Sequence, residues 1–134
     1  IAATRGSVVH AYLPSDYIPQ TELRIELYRR LAGADKLEEI DRLRFEIQDR
    51  FGRPPAEVEY VFMLERIRVI AQQHGFTSVQ TQGNLLKLSY PQLGEMKIFK
   101  INDRFPRLTK STPVGKLREI ESFLTNVVDS VKKL

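Results

Sequence analysis

A chain of 134 residues with 42% hydrophobic and 28% charged residues fits one domain of ordinary size and is balanced enough to bury a core. It has no cysteine, which excludes a disulfide framework and a thiolate metal site and fits a reducing, cytoplasmic compartment. No run approaches the roughly 20 apolar residues needed to span a bilayer, and the start, Ile1-Ala2-Ala3-Thr4-Arg5, is neither a signal peptide nor an initiator methionine, so a fragment of a longer protein is expected.

In chain order, Ser7-Val8-Val9-His10-Ala11-Tyr12-Leu13 is short, rich in β-branched residues and stopped by Pro14, which predicts a strand or extended lead-in. From about Pro19 to Leu31 the apolar residues Leu23, Leu27, Tyr28 and Leu31 recur at helical spacing, and Gly33 closes this first helix. Asp35 is expected to cap a second helix from about Lys36 to Phe51, with Leu37, Ile40, Leu43, Phe45, Ile47 and Phe51 mostly on one side. That helix ends in Asp49-Arg50-Phe51-Gly52-Arg53-Pro54-Pro55. Gly52 supplies the permissive backbone wanted just past a helix end, and the two prolines can open a helix but not sit inside one. Phe51, Gly52 and Pro54 are therefore expected to shape a sharp elbow.

Pro55 to about His74 reads as a third helix, ended by Gly75. At about 100° per residue, Tyr60, Met63, Leu64, Ile67, Ile70 and Ala71 share one face while Val58, Val61, Phe62 and Val69 lie nearly opposite, as in a helix packed on two sides. From Phe76 the pattern alternates: residues 76–81 and 84–90 predict a hairpin around Gln82-Gly83, residues 96–101 a third strand and residues 107–110 a short fourth. Ser111-Thr112-Pro113 is a cap and proline start for a last helix whose inner face is Val114, Leu117, Ile120, Phe123, Leu124, Val127, Val128 and Val131. The order describes one α+β domain over residues 1–134, with three N-terminal helices and a C-terminal helix packed on a small antiparallel sheet.

Little in the chain supports chemistry. The seven glycines are scattered and form no phosphate-binding loop. His10 and His74 are the only histidines and lie in different segments, so no histidine metal site is expected, and His74 suits a helix C-terminus. Without cysteine or a G-x-S-x-G elbow there is no activated nucleophile. The expectation is a domain that is not an enzyme by itself and holds no cofactor or metal.

Two charged constellations remain. Residues 35–66 carry six Lys/Arg against nine Asp/Glu, whereas residues 84–134 carry ten against five, which polarises the chain and steers charged partners. On the second helix Glu39, Arg42, Glu46 and Asp49 fall at i, i+3, i+7 and i+10, turned away from the Ile40/Ile47 face. Such a stripe is either a set of weak solvated pairs or a contact for a basic protein surface. The basic end places Lys87, Lys97, Lys100, Arg104, Arg107, Lys110, Lys116 and Arg118 near Phe99 and Phe105, so a nucleic-acid-binding module is the alternative reading, although Phe99 also fits a core position.

The stretch Leu13-Pro14-Ser15-Asp16-Tyr17-Ile18-Pro19, followed by Glu22-Leu23-Arg24-Ile25-Glu26-Leu27-Tyr28-Arg29-Arg30-Leu31, resembles the C-terminal domain of bacterial transcription-repair coupling factors. Glu46-Ile47-Gln48-Asp49-Arg50-Phe51-Gly52 with Pro54-Pro55, then Arg66-Ile67-Arg68-Val69-Ile70-Ala71 and His74-Gly75-Phe76, are similar to that family's next helix end, helix and turn. The resemblance covers residues 10–80; Gln48 departs from the more apolar residue usual there. It implies a regulatory domain of a larger ATP-driven DNA translocase whose motor, with its ATP and Mg, lies outside this chain. That parent displaces stalled RNA polymerase from duplex DNA at lesions and recruits the excision-repair protein UvrA. The resemblance further implies docking on the N-terminal UvrB-like module of the same protein, masking the UvrA-binding surface. Glu46 and Asp49 would then meet arginines of that module.

Overall fold

A computed structural model describes residues 10–127 of the chain. The elements are α1 (Thr21–Gly33), α2 (Leu37–Phe51), α3 (Ala56–Gln73), β1 (Ser78–Gln82), β2 (Leu85–Gln92), β3 (Glu95–Ile98) and α4 (Pro113–Ser122), the last continuing into a π-helical turn, Phe123–Val127. This is an α+β architecture with an antiparallel sheet in the order β1-β2-β3. None of the described helices is long and apolar enough to cross a membrane. The described residues divide into two compact units, 10–69 and 70–127.

In the first unit the described part of the expected strand or extended lead-in, residues 10–13, forms no strand. Residues 10–13 have no regular structure, and Leu13 N–H donates instead to the Tyr28 hydroxyl at 2.7 Å; residues 7–9 of the expected strand lie outside the described residues. Leu13 and Ile18 are buried with Leu27 and Leu31 of α1. Helix α1 begins two residues later than its periodicity suggests, because Arg24 reaches back to donate to the carbonyls of Ile18 (2.6 Å) and Pro19 (3.2 Å) and holds that segment outside the helix. Lys36, not Asp35, occupies the N-cap of α2 and makes no side-chain cap bond; Asp35 sits one residue too early.

Helix α2 buries Ile40, Leu43 and Ile47, with Leu37 and Phe51 packed at the margin. Phe45 does not join them and is 72% exposed, since it lies about 140–200° around the helix from those three residues. Three charged contacts tie α3 to its neighbours. Arg44 donates to both carboxylate oxygens of Glu59 at 2.6 and 3.3 Å, and Arg66 pairs with Asp41. Arg68, held by Glu65 at 2.8 Å, donates to the carbonyls of Leu31 and Ala34 at 2.9 Å each. Val58, Val61, Phe62 and Val69 complete the core of this unit, and Ile67 on the other face of α3 is buried too.

In the second unit, residues 70–73 finish α3 and Gly75 (φ 84°) turns the chain out of it. The hairpin loop is Gly83-Asn84, one residue later than expected, because Gln82 stays in β1 opposite Leu85. Thr81 pairs with Leu86 and Val79 with Leu88; Thr81, Leu86 and Leu88 are buried on one face. Pro91 is tolerated within β2 because β1 begins at Ser78, opposite Ser89, so its missing N–H faces no ladder partner. Strand β3 is shorter than expected, and the chain turns between Ile101 and Arg104 through Asn102 and Asp103, both at positive φ. The expected fourth strand reduces to one bridge, Leu85 to Arg107, flanked by Leu86 N–H to Pro106 O (2.8 Å) and Leu108 N–H to Asn84 O (2.6 Å).

Phe99 lies between the rings of Phe76 (5.7 Å) and Phe123 (6.3 Å), both edge-on, and each such pair adds about 0.5–1.5 kcal/mol beyond area burial. Helix α4 starts as its sequence indicates, with Thr112 Oγ1 accepting from Gly115 N–H at 3.0 Å and Pro113 in the first turn. Leu117, Ile120 and Leu124 are buried and Val114 and Phe123 half-buried; the Val127 side chain, Val128 and Val131 lie outside the described residues.

Glu119 of α4 accepts from the backbone N–H groups of Thr109 (2.9 Å) and Lys110 (3.0 Å) and from the Thr109 hydroxyl (2.8 Å). Burial acts to raise its carboxyl pKa, but those donations and the Lys110 charge outweigh it and leave the pKa below the ordinary glutamate value. A carboxylate with a lowered folded pKa contributes stability above its unfolded pKa, about 4.3, and loses that contribution as pH falls through the lower folded value. Glu119→Gln should therefore melt below the native chain at neutral pH, with the gap closing below about pH 4, as followed by circular dichroism across pH.

Candidate functional site

The elbow between α2 and α3 is built from both sides. Gly52 takes φ 86° and ψ −168°, a conformation an L side chain would strain, and its N–H donates to Gln48 O at 2.9 Å. Its carbonyl accepts from the Tyr17 hydroxyl at 2.6 Å. The Tyr17 ring packs on Phe51 with centroids 5.8 Å apart, and the Arg50 guanidinium covers the Phe51 ring at 5.2 Å. Pro54 is buried and Phe51 half-buried. The lead-in thus clamps the junction through Tyr17, a tie across 35 residues of sequence that helix periodicity does not carry.

On the outward surface of α2, Arg42, Glu46 and Asp49 are exposed and Glu39 is half-buried. Glu39 and Arg42, with Arg30, Gly33 and Leu43, line an open depression of about 340 Å³. Glu46 is not bare. Arg30 of α1 approaches its two oxygens at 3.2 and 3.5 Å, with the two side chains 44% and 46% exposed. Asp49 has no ion pair among the described residues. Gln48, where a more apolar residue is expected, accepts from Arg44 Nη1 at 3.0 Å and so belongs to the Arg44–Glu59 brace.

The arrangement suits recognition of a cationic surface. Two carboxylates one turn apart, one unpaired and one in an exposed pair, can accept charge-assisted bonds from guanidinium groups. An exposed pair contributes only about 0–1 kcal/mol, so Glu46 exchanges its partner readily. Among the described residues no group of three or more His, Cys, Asp or Glu is placed to hold a metal.

The basic end is arranged differently from a stacking platform. Phe99 is buried. Phe105 is half-buried and covered by Lys87 and Lys100, whose ammonium nitrogens lie 5.1 and 5.2 Å from its centroid. Lys87 also donates to Gln82 at 2.6 Å, Lys97 pairs with Glu95 at 3.1 Å and Lys116 is buried. Arg104, Arg107, Lys110 and Arg118 remain exposed, while the two phenylalanines named with them are buried or covered.

Residues 8–101 match the family model of the TRCF domain, so the match runs through β3, beyond the motifs that end near residue 80. The chain is 28% identical over 102 residues to a transcription-repair-coupling factor of Bacillus subtilis (strain 168), covering 72% of the chain and 9% of the relative. It is 32% identical over 79 residues to that of Staphylococcus haemolyticus (strain JCSC1435), covering 59% and 7%. With that of Haemophilus influenzae it shares 28% over 109 residues, covering 79% and 9%. The chain therefore spans less than a tenth of the length of these relatives. A crystal structure of the C-terminal domain of a transcription-repair coupling factor has the same fold, with a TM-score of 0.64 at 18% identity over 98% of this chain and 95% of that one.

Removing the Tyr17 hydroxyl tests the elbow clamp. Burial, then the Glu59 carboxylate, push the Tyr17 pKa above the ordinary tyrosine value, against the pull of Arg44. A raised folded pKa means that the contribution is fully present below the unfolded value, about 10, and is lost as pH rises through the higher folded value. Tyr17→Phe should cost about 1 kcal/mol of unfolding free energy. In denaturant titrations the deficit should be constant from neutral pH to about pH 10 and shrink above it.

Proposed function

The chain belongs to the TRCF domain family, and from that premise we propose that residues 1–134 form the C-terminal regulatory domain of a transcription-repair coupling factor, non-catalytic by itself. In this reading the domain docks on the N-terminal UvrB-like module of the same protein, keeps the ATP-dependent DNA translocase repressed and covers the UvrA-binding surface. The motor, with its ATP and Mg, belongs to other parts of the parent. So does the displacement of RNA polymerase stalled on damaged duplex DNA.

The observation that carries this reading is the state of the two carboxylates on α2. Asp49 is exposed with no ion pair among the described residues, and Glu46 is held only by an exposed arginine. A more tightly braced pair would resist exchange; Arg44, at 2.6 and 3.3 Å from the Glu59 oxygens and 3.0 Å from Gln48, is the contrasting case on the same helix. Regulation needs a contact strong enough to bias an equilibrium and weak enough to be released, a coupling of about 1–3 kcal/mol. One or two charge-assisted pairs at the rim of an interface are of that order.

Charge reversal tests it directly. Glu46→Lys with Asp49→Lys, placed in the full-length coupling factor, should raise both its ATPase rate and its affinity for UvrA. In this chain alone the same pair of substitutions should leave the melting temperature nearly unchanged, because both side chains are exposed. Wild-type ATPase and UvrA binding in the double variant would sink the reading.

A further inference from the structure

On the same outward surface of α2, Phe45 is 72% exposed and is the only phenylalanine in the exposed class among the described residues. It contributes nothing to the core cluster, and a phenylalanine is a poorer helix former than the Arg, Glu or Leu that fill the neighbouring positions. The fold by itself gives no reason for an aromatic ring here.

Its surroundings give one. About 40° around the helix and one turn on is Asp49, about 60° around and one turn back is Arg42, and about 20° around and two turns back is Glu38. The ring therefore stands in the middle of the charged surface, beside the carboxylate that has no ion pair. Elsewhere two half-buried phenylalanine rings are covered by the chain's own cations. Arg50 sits over Phe51 at 5.2 Å, and Lys87 and Lys100 sit over Phe105. No cation covers Phe45 among the described residues. Arg44 is committed to Glu59 and Arg66 to Asp41; Arg42 has no ion pair among the described residues and does not cover the ring.

We propose that Phe45 is the anchor of the docking contact, and that its occupant is an arginine-bearing protein surface. One guanidinium lies flat on the ring while Asp49 accepts its N–H groups at the edge. Planar guanidinium combines stacking with bidentate carboxylate pairing, which an ammonium does not. An aromatic at the centre of a patch ringed by charge is also the arrangement in which a few residues carry most of the binding energy. This rests on the docking reading above and adds to it a central aromatic contact on which one guanidinium stacks.

The test uses the full-length coupling factor, with affinity for UvrA as the measure of release. Phe45→Ala should raise that affinity about tenfold, the loss expected when one interface anchor is truncated. Phe45→Tyr, which keeps the ring face, should stay at the wild-type level. Phe45→Lys, which sets a cation against a cation, should release at least as strongly as alanine. In this chain alone the melting temperature of Phe45→Ala should stay within a few degrees of native, which separates loss of docking from loss of fold. If Phe45→Ala remains at the wild-type level while the Glu46/Asp49 reversal releases, the anchor is overturned and the docking reading stands. If Phe45→Lys stays repressed, the facing charge is not cationic and the assignment of a guanidinium falls. If neither Phe45→Ala nor the carboxylate reversal releases, the docking reading and the anchor fall together.

Discussion

The first unit depends on how the end of α1 is closed. A helix leaves its last carbonyls without intrahelical partners, and burying them unpaired would cost about 1–3 kcal/mol each. Here Leu31 O accepts from the Ala34 N–H at 3.2 Å, and Arg68 of α3 adds donations to Leu31 O and Ala34 O at 2.9 Å each. An arginine side chain only 18% exposed needs a counter-charge, and Glu65, one turn earlier, supplies it at 2.8 Å. The Arg68 side chain ties α3 to the end of α1 and to the start of the three-residue connection to α2. With Arg44–Glu59 and Arg66–Asp41 it helps set which side of α2 is spent on packing and which stays exposed.

Where the determinants are local, the sequence is a good guide. The α4 start was legible because Thr112, Pro113 and the Gly115 N–H are neighbours in the chain. The elbow was legible because Gly52 and Pro54 each act through their own backbone. The outward position of Glu46 and Asp49 follows from their spacing relative to Ile40 and Ile47. Phe45 was legible too, had its angle been weighed above its hydrophobicity.

What was not legible involves register between segments. Arg30 meets Glu46 across 16 residues only because the short α1–α2 connection sets those helices in that register. Tyr17 reaches Gly52 only once the lead-in is folded down. The fourth strand failed for a similar reason: β-branched and apolar spacing says that residues 107–110 could pair, but only Arg107 comes opposite Leu85. In the lead-in, a backbone N–H that a strand ladder would use is taken by the Tyr28 hydroxyl.

The Arg30–Glu46 pair has a consequence for how tightly such a contact can hold. An arginine arriving from a partner at Glu46 does not meet an empty carboxylate. It would replace a resident of the same chemistry, so the number of ion pairs at Glu46 would be unchanged and the gain there a difference between two guanidinium environments. In the proposed docking Arg30 would be a built-in competitor, and the threshold for letting go would then be adjustable from α1, through a residue whose own partner is inside the chain.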